Sequence, residues 1–167
     1  MRGPGMNRDS DPRRAGVRAL LAAHHTLTLA TTEGGRPWAA ALFYAFDDAL
    51  DLYFVSDPST RHGRGLGGGG SVAAAIHPDC RRWADVEGLQ IEGRASVLEG
   101  GERARALERY LDRFPEVRRL LERPRDADER KIADRLRAAS LYRLRPSWIR
   151  WIDNRRGFGA REELDLS

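Results

Sequence analysis

The segment "SDPSTRHGRGL", residues 56–66, places two hydroxyls, Ser56 and Thr60, just ahead of Arg61, His62 and Arg64, with Gly63 and Gly65 thinning the backbone between them. It follows an apolar run, "LYFV", that reads as a β-strand. A guanidinium gives a planar, bidentate, charge-assisted pair. An imidazole adds a second donor whose protonated form an anion favours. The two hydroxyls, and backbone N–H groups from Thr60 to Gly63 if the chain turns there, would complete a set of donors converging on one point. The ligand that such a set fits is a phosphomonoester, with close to two negative charges at neutral pH and three terminal oxygens. The loop's own pattern is equally that of exposed residues whose hydroxyls cap a turn, so both readings stay open.

Two further constellations could serve a ligand. "PWAAALFYAF", 37–46, has three consecutive alanines, and Ala40, Ala41, Leu42 and Phe43 could let a flat ring lie along the backbone; tight strand packing would need the same small residues. Near the C-terminus stand Trp148, Trp151, Asn154 and Phe158. Trp148 and Trp151 fall on opposite faces of a strand, so only one of them could reach a shared ligand, and both could equally be core or interface aromatics. "HPDC" pairs His77 with Cys80, but zinc wants about four ligands and no second pair accompanies it, so no metal is expected. His24 and His25 read as a helix end and a packing residue.

The 167 residues suffice for one domain with a real core. Apolar residues make up 41% and charged residues 32%, which fits a folded, soluble chain. No apolar run approaches the roughly 20 residues that cross a bilayer, nothing reads as a signal peptide, and the lone Cys80 makes a reducing cytoplasm the expected location. The net charge of +4 does not argue for nucleic acid: all but one of the 29 basic residues are arginine, and they are interleaved with acids as on a solvated helical face.

The expected elements follow from spacing. Residues 1–11 read as a loose tail and 12–167 as one domain. Asp11 caps a helix with Pro12 at its first position and Val17, Leu20 and Leu21 on one face. "TLTLATT", "PWAAALFYAF" and "LYFVS" read as a three-stranded meander. "HGRGLGGGG" holds six glycines in nine residues, so at most one helical turn is expected near Thr60–Leu66, followed by a mobile loop. "SVAAAI" and "LQIEGRASVL" are strands, with Gly93 marking a bulge or close approach. Residues 100–122 and roughly 128–139 are helical, and "SLYRLRP" and "SWIRWID" are two strand-like runs. Six to seven antiparallel strands with few helices imply a mainly β protein, a barrel with flanking helices.

"LYFVSDPSTRHGRGL", after a hairpin and before an apolar strand, resembles the pyridoxamine 5′-phosphate oxidase-like FMN-binding split-barrel family, whose pattern of strand-end hydroxyl, then hydroxyl, Arg and Lys or His is matched by Ser56, Thr60, Arg61 and His62. "GLQIEGRASVLEG" resembles the family's later core strand. "LYRLRPSWIRWIDNRRGFG", with the earlier "RFP", is similar to a little-characterised bacterial branch. The resemblance implies a Greek-key split barrel and a homodimer with FMN in clefts at the subunit interface. It places the phosphate on the loop after "LYFVS" and the isoalloxazine against neighbouring strands such as Ala40–Phe43, and it suggests that Trp151 and Asn154 help complete a cleft. It also implies a flavin-dependent oxidoreductase acting on a small molecule, with no nucleic acid or membrane as partner; a non-catalytic flavin binder, or a split barrel holding haem or a deazaflavin, are the alternatives. Haem would need His25, His62 or His77 as an axial ligand. The oxidase's own substrate is not expected, because "RRGFGAR" lacks the His of the Arg-x-His stretch that grips it.

Overall fold

Leu27, Leu29 and Thr31 alternate with Thr26, Thr28 and Ala30, and the strand they form, β1 (Thr26–Glu33), buries the first set and exposes the second. The same period of two recurs in β5 (Gly69–Ile76) and β6 (Glu87–Val97), whose inward residues include Val72, Ala74, Ile76, Leu89, Ile91 and Ala95. The structure, a computed structural model, describes residues 11–67 and 69–167. The remaining strands are β2 (Arg36–Phe43), β3 (Ala45–Phe46), β4 (Leu52–Ser56), β7 (Ser140–Asp153) and β8 (Arg161–Asp165). All pair antiparallel in the order β2-β1-β5-β6-β7-β4-β3, with β8 on β7 beyond the end of β4. The architecture is the expected mainly β one, a curled sheet with flanking helices.

The concave face and α1 (Pro12–Ala23) share one core, in which Val17, Leu20 and Leu21 meet Leu27, Leu29, Phe54, Tyr142 and Ile149. Burying each such leucine or phenylalanine is worth about 1.5–3 kcal/mol. Asp11 starts α1 as expected, its carboxylate accepting the Arg13 N–H at 2.9 Å. Asp11 is thus part of the fold; the rest of the expected tail, 1–10, lies outside the described residues.

Three expectations about the strands change. The meander does not form: β4 pairs with β3 and β7, and β2 hydrogen-bonds to β1 alone, as an edge strand. Beyond β2 the chain runs through β3 and a tight hairpin into β4, in which the Asp47 carboxylate accepts the Asp51 N–H and Leu50, fully buried, takes a left-handed φ of 74°. The two C-terminal runs are one strand, β7. Opposite Gly93, where a bulge was expected, Glu92 faces Trp148 and Gly93 faces Pro146, so Ser147 is the extra residue. A Cβ on Gly93 would lie 2.3 Å from the Arg145 carbonyl oxygen. Finally, the last two glycines of the run, Gly69 and Gly70, are strand rather than mobile loop. After α2 (Arg61–Leu66), β5 already begins at Gly69, which sits at φ +136° with no room for a Cβ beside the Ala95 carbonyl. Glycine lets the two backbones close up there, and Gly69 and Gly70 pair with Ser96 and Ala95.

Helices α3 (Gly100–Arg113), α4 (Pro115–Glu122) and α5 (Ala127–Ala138) connect β6 to β7. Ala106, Tyr110 and Leu111 of α3 pack on Ala45, Tyr53 and Leu141, a second and smaller core. Arg113 ties α3 to α1, donating to the carbonyls of Leu21 (2.8 Å), Ala22 (3.3 Å) and His24 (2.5 Å) and lying over the rings of Tyr44 and Phe46. Between α4 and α5, Arg119 bridges Glu116 and Glu129 at 2.6 and 2.8 Å. That pair, with the Arg125 N–H, holds the Glu129 carboxyl down at about 2. A depressed folded value means stability that is complete above the unfolded value of about 4.3 and is lost as pH falls towards 2. Between pH 5 and 2.5 the urea midpoint is therefore expected to fall more steeply in the wild type than in Glu129→Gln. Parallel slopes would show the pair to be inert. Among the described residues no helix is long and apolar enough to cross a membrane.

Candidate functional site

Strand β4 ends at Ser56, buried and paired with Ser140, and the next seven residues fold back on themselves. The Asp57 carbonyl accepts both the Thr60 N–H (3.1 Å) and the Thr60 hydroxyl (2.7 Å), while the Asp57 carboxylate accepts the Ser59 N–H (2.8 Å). Thr60 then caps α2, its oxygen accepting the Gly63 N–H at 3.1 Å. The turn closes only on glycine, because a Cβ at Gly63 would lie 2.3 Å from the Asp57 carbonyl oxygen. Among the described residues, the backbone N–H groups of Arg61 and His62 are left without an acceptor.

The side chains divide into those that build the loop and those left for a ligand. Thr60 builds it, since its hydroxyl proton is committed to Asp57. The Ser56 hydroxyl reaches the Asp57 carbonyl only at 3.4 Å. Arg64 is tied to Glu33 (2.8 Å) and the Ser59 carbonyl (2.6 Å), and its guanidinium holds the Glu33 carboxyl below its usual range. Arg61 makes no ion pair among the described residues. Its guanidinium stacks 4.3 Å from the centre of the Trp38 ring, at the start of β2. His62 is half-buried with Nε2 3.2 Å from the Thr60 hydroxyl, and burial lowers its pKa against the opposing pull of Asp57. Such an imidazole is neutral near pH 7, and an adjacent anion would draw a proton onto it. Beneath α2, Gly65 rests on Thr31, whose buried hydroxyl has no partner in the described structure.

The four candidates on β2 do not share a face. Ala40 and Leu42, opposite Leu29 and Leu27, turn towards the core. Ala41 and Phe43, opposite Thr28 and Thr26, turn outward, and Phe43 is 55% exposed. Strand geometry requires this alternation, so a planar ring could lie against the outward pair or along the open edge of β2, but not on all four side chains.

Trp151 and Asn154 stand apart from the loop within one chain. Ser56 pairs with Ser140 at the start of β7, and Trp151 lies eleven residues on, up to about 36 Å along an extended strand. Its ring covers Gly16 of α1 so closely that a Cβ there would fall 2.2 Å from it, and Arg156 stacks on it. Asn154 donates to the Trp83 carbonyl (2.8 Å) and accepts the Gly159 N–H (3.0 Å), closing the turn that carries Phe158. Phe158 is 85% exposed and meets Trp83 edge to face, while Trp148 lies under Arg150. Sequence reasoning missed Trp38 as the partner of Arg61. An aromatic residue opening an edge strand was the signal, overshadowed by the alanines that follow it. Cys80 is exposed, and His77 sits beside the Pro78 carbonyl. Among the described residues no three His, Cys, Asp or Glu side chains converge as a metal site.

Residues 14–150, from α1 through most of β7 and including the whole α2 loop, match the family model described as pyridoxamine 5′-phosphate oxidase. The chain belongs to that family. Within the pyridoxamine 5′-phosphate oxidase family it is similar to a little-characterised bacterial branch. It is 30% identical over 148 residues to a UPF0306 protein of Klebsiella pneumoniae (strain 342), covering 88% of this chain and 89% of that one. It is 32% identical over 142 residues to the UPF0306 protein YhbP of Salmonella paratyphi A, covering 84% and 85%. Among solved structures, a heme binding protein from Mycobacterium smegmatis shares the fold with a TM-score of 0.69 at 22% identity, over 92% of this chain and 57% of that one. HutZ, the heme storage protein from Vibrio cholerae, aligns with a TM-score of 0.62 at 19% identity, over 79% and 88%.

Proposed function

We propose that this family member is a cytoplasmic, homodimeric FMN-binding protein and a flavin-dependent oxidoreductase for a small molecule other than pyridoxamine phosphate. The observation that carries the reading is the end of β4, where the Arg61 guanidinium, the half-buried His62 ring and two backbone N–H groups without acceptors gather on a turn that only Gly63 permits. That donor set fits a phosphate group. When bound, FMN supplies the hydride-exchanging ring, so the protein need hold no nucleophile or acid–base pair of its own. Arg61 and His62 would grip the phosphate, Thr60 would hold the loop in shape, and Trp38 would keep the Arg61 plane oriented. The outward face of β2 and β1, with Ala41 and the exposed Phe43 beside Thr26 and Thr28, supports the dimer: it lies on an open edge strand and offers apolar surface. A second copy could bring its own Trp151 and Asn154 region to a cleft that one chain leaves open.

Purification without added cofactor, an absorbance spectrum and FMN titration test the reading. Arg61→Ala is expected to weaken FMN binding by about 1.5–3 kcal/mol, the scale of a lost charged hydrogen bond. Unchanged affinity with an intact fold would remove Arg61 from the phosphate site. Haem is the second reading, favoured by one feature. His25 is exposed and lies edge-on to Phe114, which in turn meets the exposed Phe43, so an imidazole stands beside aromatic surface. A strong haem band in the spectrum, abolished in His25→Ala, would select it over flavin.

A further inference from the structure

Between α3 and the strands beneath it lies a cavity of about 190 Å³, on the outer side of β4 and β7 and away from the α2 loop. Three guanidiniums line it, Arg105 and Arg109 from α3 and Arg143 from β7, together with the carboxylates of Asp47 and Glu102. The carboxylates are held by other groups, which leaves Arg105 and Arg109 without a direct carboxylate partner among the described residues. Asp47 has both oxygens occupied elsewhere, accepting the Asp51 N–H at 3.0 Å and the Tyr53 hydroxyl at 2.8 Å. Arg143 is taken by two carboxylates, Glu102 at 3.4 Å and the buried Asp51, whose oxygen lies 3.8 Å from the Arg143 Nε. Arg105 and Arg109, four residues apart, share one face of α3. Neither makes an ion pair among the described residues, and Arg109 reaches only the Phe46 carbonyl, at 3.5 Å.

The cavity adjoins a larger groove of about 630 Å³ between α1 and α3, which also contains Arg105, Arg109 and Asp47. The other carboxylates of that groove are taken, Asp48 by Arg18 and both Glu108 and Asp112 by Arg118. Leu98 and Ala106 form the apolar floor of the inner cavity, and its rim is charged. We infer that this is a second anion site, which takes a compact oxyanion, the phosphate or carboxylate head of a small metabolite, between Arg105 and Arg109, with the organic remainder in the groove. Paired arginines suit either head because their forks match both geometries.

Calorimetric titration with inorganic phosphate, and separately with malonate, tests the assignment on the wild type, on Arg61→Ala and on the double variant Arg105→Gln/Arg109→Gln. Both arginines are exposed, so the double variant should melt with the wild type, which a thermal scan checks. The expected result is that Arg61→Ala retains a phosphate site, that the double variant weakens that site tenfold or more, and that combining all three substitutions removes phosphate binding. Binding of phosphate but not malonate would restrict the ligand to a phosphate ester; binding of both would admit carboxylates. Wild-type affinity in the double variant, loss of all binding in Arg61→Ala alone, or no binding of either anion to the wild type would overturn the proposal. Because Arg61 is varied separately, failure of the flavin reading is told apart from failure of this one.

Discussion

Gly63→Ala is expected to cost more at the α2 loop than any single side-chain deletion there. The new methyl group would sit 2.3 Å from the Asp57 carbonyl oxygen and 2.8 Å from the Pro58 Cα, both backbone atoms that cannot swing aside. The turn must open, which breaks the bond from the Gly63 N–H to Thr60 and displaces the Arg61 and His62 amides together. Overpacking of this kind costs about 1–3 kcal/mol, and loss of the cap about 1 more. FMN affinity should fall by more than the Arg61→Ala change produces, since the side-chain and backbone donors move at once. Flavin fluorescence titration and the urea midpoint measure the two effects. Gly70→Ala is the control, because nothing lies within 4 Å of its added methyl. Wild-type FMN affinity in Gly63→Ala would mean that the cofactor phosphate is held elsewhere.

Arg113→Ala is expected to lower stability on a similar scale, away from the α2 loop. One guanidinium nitrogen serves three carbonyls at and just beyond the C-terminal end of α1, where unpaired acceptors and the negative end of the helix dipole gather. Removing it takes the donor from the Ala22 and His24 carbonyls, leaves the Leu21 carbonyl with only the Tyr44 hydroxyl at 2.9 Å, and exposes the faces of Tyr44 and Phe46 that it covers. A loss of about 3 kcal/mol follows from the charged hydrogen bonds alone. For a chain of this size that lowers the melting temperature by roughly 6–12 °C. Arg113→Lys should recover part of it, keeping the charge without the fork. A melting temperature within a degree of the wild type would show that α1 is secured by its apolar face alone.

What could be read in the sequence was local. Asp11 followed by Pro12 announces the start of α1, the alternation in β1 and β6 announces their buried faces, and Gly93 marks the irregularity whose extra residue, Ser147, lies on the facing strand β7. Each signal is carried by residues within a few positions of one another. Partners distant in the chain left no such trace. Nothing in "LYFVS" says that it pairs with residues 140–144 rather than with β2. The strand character of Gly69 and Gly70 depends on the backbone of Ala95 and Ser96 pressing against them. Arg61 and Trp38 lie on separate elements, so their stacking is a product of the fold. The arginines of α3 read as a solvated face, and only the position of Arg143 and Tyr53 beneath them makes a cavity there.

Strand β2 has a consequence for how the protein is handled and made. Beyond Arg36 and Pro37, which blunt its first end, the stretch Trp38–Phe43 is apolar, carries no lysine and turns alternate backbone groups away from β1. If the proposed dimer forms through this edge, a newly made protomer carries an adhesive ribbon until another copy covers it, and correct assembly competes with strand-to-strand aggregation. Both processes accelerate with concentration, so yield should depend on how quickly the ribbon is shielded, and slow, dilute refolding should favour the ordered particle.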